Sequence, residues 1–292
     1  LGVRPLALVR HGLLQCYTDR MENTMAKRKI LNPANRVTHK QEKLTIKIMN
    51  IVVDVNINAS IFEKLSVTNN NDYDVENKTV LDSYWNEEKK ISPVYRYSIK
   101  KNEQSLFDLF EFEEKNSKFE NSNFNDFPIE MERELESIVI ILESPHKSEY
   151  NDENMPIAPA QGETGDQIEE KICEILNSQQ IIRCLTSDEY RIVILNPIPF
   201  QTSLFMLHKQ SISGVYKTLR DKVWITLWNN CNKLKIDFIN SIQELNPKVL
   251  INCCTAGVKG NIPLEQFLCD KYEIDHPSCW WKGLNNISIK AV

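Results

Sequence analysis

Three short, uninterrupted apolar runs punctuate the second half of the chain: Ile138-Val-Ile-Ile-Leu142, Ile192-Val-Ile-Leu195 and Val249-Leu-Ile251. Each is rich in β-branched side chains, the pattern of a strand covered on both faces inside a parallel sheet. Helical spacing fills the intervals. Ile168, Ile172, Ile175 and Leu176 fall on one face after Gly165-Asp166, and further helices are expected over 215–229, 234–245 and 264–269. Residues 271–274 lead into Asp275-His276-Pro277-Ser278. Strands alternating with helices imply a sheet covered on both sides. The expected fold class is therefore α/β: three α/β/α layers around a central, mostly parallel four-stranded sheet.

The first half has weaker patterning. Alternation from Leu44 to Asn58 suggests one long strand or a hairpin. Residues 61–67 read as a short helix, 68–76 as a loop, 105–114 as a helix in preference to a strand, and 115–126 as a linker. Residues 25–130 are expected to form an N-terminal α+β extension to a principal domain at 131–292. Residues 1–24 are Leu/Arg-rich, unlike the Asn/Ile/Lys-rich remainder. They read as a non-native or disordered leader, with Met21 or Met25 as the natural start.

Composition narrows the class. A chain of 292 residues can bury a sizeable core, and 41% hydrophobic with 26% charged residues is ordinary for a soluble protein. No apolar run approaches the roughly 18 residues of a membrane span. Eight cysteines, at 16, 173, 184, 231, 253, 254, 269 and 279, form no C-x-x-C pair. Reduced cytoplasmic thiols are expected rather than a zinc or iron–sulfur site, and no metal or other cofactor is expected. The net charge of −5 divides into +7 over residues 1–50, −9 over 51–137 and −3 over 138–292. An acidic total does not exclude DNA, because helix N-termini and turn amides hold phosphates without net positive charge.

Chemistry gathers at the strand ends. In open α/β sheets the ligand crevice lies beyond the carboxyl ends of the strands. Glu143 follows the first buried run, Asn196 the second, and His276 the last segment. Singly these are a turn-capping acid, a turn-initiating asparagine and a loop histidine. Together, on neighbouring strands of one sheet, they are expected to converge. A serine hydrolase is disfavoured because no G-x-S-x-G elbow exists.

In this order the segments resemble the uracil-DNA glycosylase superfamily over residues 135–290. Leu142-Glu143-Ser144-Pro145-His146 is similar to that family's Gly-Glu-Ala-Pro-Gly turn. Gly162-Glu163-Thr164-Gly165 looks like its Gly-x-Ala-Gly helix start. Ile192-Val-Ile-Leu-Asn196 matches the strand ending in a base-reading asparagine, and His276-Pro277-Ser278 stands as the last motif.

The resemblance implies a DNA glycosylase, with DNA as partner and Glu143 and His276 as its catalytic pair. Glu143 would stabilise a sugar cation and activate water. His276 would bond the base oxygen that gains charge, worth about 3–4 kcal/mol per donor. Asn196, His146, Ala160 and Gln161 would surround the base. Ser144, Pro145, Gly162, Gly165 and Ser278 would meet the DNA backbone, and Trp280 or Trp281 would wedge the gap left by the flipped base. Two departures bear on substrate. Ala160 stands where one branch has a uracil-stacking phenylalanine, and His146 where another has a tyrosine that blocks the pyrimidine 5-position. Both leave room for a larger base, as in an anti-phage glycosylase that removes modified cytosine in the prokaryotic cytoplasm. The alternatives are a uracil-DNA glycosylase of base-excision repair and a catalytically silent nucleic-acid-binding module.

Overall fold

The computed structural model describes residues 40–65, 71–110 and 135–292. The segments expected to be a leader (1–24) and a linker (115–126) lie outside the described residues. Strands β1 (Gln41–Ile48) and β2 (Ile51–Asn58) form a hairpin in full register. Its two-residue turn, Met49-Asn50, has both φ angles positive, 48° and 65°, which matches the right-handed twist of the flanking strands. Helix α1 (Ala59–Leu65) follows. Two short strands, β3 (Tyr73–Asp74) and β4 (Thr79–Val80), complete a four-stranded sheet of order β2-β1-β4-β3.

The second sheet takes β5 (Val94–Lys101), β6 (Phe107–Phe110), β7 (Ser137–Ile141), β8 (Glu189–Leu195), β9 (Val249–Asn252), β10 (Asp270–Ile274) and β11 (Ile289–Ala291). Helices α2 (Glu163–Leu176), α3 (Gln179–Ile182), α4 (Phe205–His208), α5 (Val215–Asn230) and α6 (Asn232–Leu245) lie between these strands in the chain. Its order is β11-β10-β9-β7-β8-β5-β6. The protein is thus mixed α/β, and the expectation of a four-stranded central sheet is corrected. β10, β9, β7 and β8 do run parallel, but antiparallel β11 extends one edge and antiparallel β5 and β6 the other. β5 and β6 precede residue 130, so segments from both sides of the expected boundary share one sheet. The helix favoured over 105–114 is also corrected: Phe107–Phe110 pairs with β5 after a tight turn at Asn102–Leu106. Pairing overrides local spacing there.

Every residue of β7 is buried. Ile138 and Ile140 pack with Ile168, Ile172 and Ile175 of α2, while Val139 and Ile141 pack with Val223 and Trp224 of α5 on the opposite face. At about 1.5–3 kcal/mol per buried large apolar side chain, neither face tolerates a polar residue. The chain leaves β7 for β8 on one side, then returns through α5 and α6 to β9 on the other. That reversal opens a crevice at the carboxyl ends of β7 and β9. Among the described residues no helix is long and apolar enough to cross a membrane.

Candidate active site

Glu143 lies just past β7, its side chain 8% exposed. Helix α5 reaches it twice, from residues one turn apart on one face. Arg220 Nη1 lies 2.7 Å from Oε1, and Trp224 Nε1 donates to the Glu143 backbone carbonyl at 2.6 Å. Beyond β9, the Thr255 N–H donates to Oε2 at 2.8 Å. Beyond β10, His276 Nε2 stands 3.9 Å from the same oxygen, an approach rather than a hydrogen bond. Arg220 Nη2 also donates to Asp221 Oδ1 at 2.6 Å and to Thr255 Oγ1 at 3.0 Å. Acid, cation and imidazole therefore meet at one point.

Burial lowers the pKa of His276 below the ordinary 6.5; Glu143 opposes the shift, and Arg220 and Lys259 reinforce it. Its Nδ1 accepts the Ser278 N–H at 3.2 Å and lies 2.9 Å from Ser278 Oγ. A neutral ring that accepts at Nδ1 carries its proton on Nε2, the nitrogen facing Glu143. The His-Pro-Ser segment thus sets the tautomer.

These groups border a cleft of about 430 Å³, within the roughly 300–1,000 Å³ of small-molecule sites. Of the expected site residues, Glu143, Ser144, Pro145, His146, Gln161, His276 and Ser278 line it. Burial also lowers the His146 pKa, and Ser144 Oγ bonds Thr202 Oγ1 at 2.7 Å.

The others fall elsewhere. Asn196 follows β8, on the far side of β7 from β9 and β10, and does not line the cleft; both polar atoms of its amide are buried with no protein partner. Ala160 is fully buried in the core beside α2, so the widening expected there is not at that residue. Its backbone carbonyl explains Gly165 instead, because a Cβ on Gly165 would stand 1.9 Å from that oxygen. Gly162 caps α2 at φ +73°, a conformation that favours glycine. Trp280 is fully buried, with Nε1 donating to Asp275 O at 2.7 Å, and cannot serve as a wedge. Trp281 is 66% exposed.

Three contributors escaped the sequence reading. Arg220 looked like any helix arginine, and Thr255 acts through its main chain. Glu149, between β7 and α2, is buried and accepts the N–H groups of His146 and Ala160. It thereby ties the turn at His146 to the segment that leads into Gln161. Burial pushes its pKa up to about 8, with nearby Glu143 adding to the rise. Among the described residues no group of three or more His, Cys, Asp or Glu is placed to hold a metal ion. Comparison with protein-family models, with curated proteins and with solved structures gives no match.

Proposed function

We propose that the chain is a monofunctional DNA glycosylase of the uracil-DNA glycosylase type, acting on a bulky modified cytosine such as glucosylated 5-hydroxymethylcytosine in phage DNA. The observation that carries this reading is the 3.9 Å approach of the Glu143 carboxylate to the Nε2 of His276, whose geometry keeps it a neutral donor, at the cleft. Breaking an N-glycosidic bond leaves positive charge on the sugar and negative charge on the base. Arg220 and the Thr255 N–H hold Glu143 in one orientation, so its carboxylate offsets the sugar cation and orients water toward C1′. Water's hydroxyl bonds C1′, its proton passes to the carboxylate, and the bond electrons leave with the base. His276 Nε2–H donates to the base oxygen that gains this charge. An abasic site remains. Trp281, the exposed member of the tryptophan pair, takes the wedge role.

The lining favours a polar substituent. Apart from Leu142, Pro145 and Ile212, its side chains are polar or charged, and none is Phe, Tyr or Trp. Walls of this kind hydrogen-bond a hydroxyl-rich sugar better than they stack a bare pyrimidine. The test compares base release from DNA carrying glucosylated cytosine with release from uracil DNA. Abasic sites are expected in the first sample, and Glu143→Gln should reduce them at least about 100-fold. Abasic sites only in the uracil sample would overturn the substrate. Binding without release from either, unchanged by Glu143→Gln, would mark a silent nucleic-acid module.

A further inference from the structure

We propose that Lys147, Phe205 and Lys209 form a platform at the mouth of the cleft that holds a single-stranded or locally unpaired stretch of DNA flanking the reacting nucleotide; this rests on the glycosylase reading for what occupies the cleft. Lys147 lines the cleft and is exposed. Its ammonium lies 4.9 Å from the centroid of the Phe205 ring, and that of Lys209, also exposed, lies 5.9 Å from the same centroid. Among the described residues neither lysine has a carboxylate partner within ion-pair distance. Phe205 is half-buried, and the imidazole of His146, on the cleft wall, lies 6.4 Å from it.

The arrangement is held firmly. Helix α4 is a single turn bracketed by left-handed Leu204 and Lys209, at φ 55° and 53°, and anchored by buried Leu204, Leu207 and His208. Two like charges converge on one ring in a protein of net charge −5, and among the described residues no carboxylate pairs with either. A ring attracts cations, but it does not cancel their mutual repulsion. A phosphate backbone does, and a base freed from its partner can stack on an aromatic surface. A closed duplex supplies the phosphates but keeps its bases stacked internally. The chemistry therefore selects a strand whose bases are accessible.

The experiment is fluorescence anisotropy of the full chain with a labelled, unmodified single-stranded oligonucleotide and with its duplex, each across a salt series. The wild type should bind the single strand more tightly. Lys147→Ala/Lys209→Ala, two surface changes, should weaken that binding about 10-fold or more and reduce the slope of log affinity against log salt by about 1.4, at roughly 0.7 per phosphate. Phe205→Leu, checked for folding by circular dichroism, should weaken it about 5- to 100-fold with the slope unchanged. Tighter binding to the duplex, or a double-lysine variant with wild-type affinity and slope, overturns the platform. Failure of the glycosylase reading shows separately, as wild-type protein that binds in this way yet releases no base.

Discussion

The pair between Arg220 and Glu143 allows a quantitative test. Arg220→Met keeps most of the side chain's length and removes the charge. It loses the 2.7 Å contact with Glu143, the bond to Thr255 Oγ1 and the pair with Asp221. An exposed ion pair contributes roughly 0–1 kcal/mol, whereas stripping one partner from a buried pair costs about 3–5 kcal/mol. Here the two side chains are 13% and 8% exposed, and Glu143 keeps the Thr255 N–H. A loss of about 3–4 kcal/mol follows from the lower part of the buried range. Asp221, 20% exposed, adds little because water reaches it. Glu143→Gln removes the charge that Arg220 neutralises, so the double variant should be less destabilised than the sum of the singles, by about 1.5–3 kcal/mol. Urea denaturation at pH 7, followed by tryptophan fluorescence, measures all four proteins; stacked Trp224 and Trp228 report from α5. Effects that add within about 0.5 kcal/mol would refute the claim that Arg220 holds the carboxylate. Arg220→Lys separates charge from geometry: one ammonium cannot replace the guanidinium fork, so base release should fall more than stability does.

Gly165→Ala should lower stability by about 3 kcal/mol or prevent folding, because its Cβ would meet a backbone oxygen that cannot swing aside; a thermal melt within a degree or two of wild type contradicts this. For Glu149, a carboxyl raised from 4.5 to about 8 in the folded protein leaves the fold unpenalised below about pH 4.5. The fold is then weakened progressively up to about pH 8, by roughly 5 kcal/mol at most. Glu149→Gln should therefore gain on the wild type between pH 5 and pH 9 in urea titrations, and parallel pH profiles would exclude the effect. His276, lowered by burial, should charge only below pH 6.5, so its contribution to stability is lost as pH falls through that lower range and base release stays level down to at least pH 6.5. NMR titration of its ring protons gives the direct answer: an inflection at or above 6.5 is incompatible with the assigned tautomer and donor role.

The legible parts of this chain are those where one physical constraint dominates. Residues 138–142 read as a central strand because burial on both faces leaves no polar position to confuse the pattern. The apolar row at 168, 172, 175 and 176 fixes α2 in the same way. β5 was missed because its pattern is mixed: the register shifts between Tyr95 and Tyr97, and buried Arg96 donates to the Ala160 carbonyl. An arginine facing inward looks like a loop residue in sequence. At the site, Glu143 and His276 were foreseeable because sheet topology sets where strand ends lie. Asn196 satisfies the same pattern but follows the strand on the other side of the reversal. The strand-end rule names the edge of the sheet, not the side of the switch point. Arg220 required the rotational phase of a helix against the sheet, and Thr255 offers only a main-chain donor, which no side-chain pattern records.

The first half of the chain also acquires a role from this geometry. Leu44, Ile46, Val55 and Ile57 of the small sheet share a core with Trp224, and Lys222 donates to Asn56 O at 2.7 Å. They press α5, which carries Arg220 and Trp224, against the end of β7. Tyr84 and Trp85 donate to the side chain and carbonyl of Gln201, at 2.8 and 3.4 Å. Neighbouring Thr202 bonds Ser144, and Ser203 lines the cleft. Two of the supports around Glu143 are therefore backed by residues before 100. The carboxylate's orientation depends on a core built from both halves, and the small sheet acts as the rear wall of the candidate site.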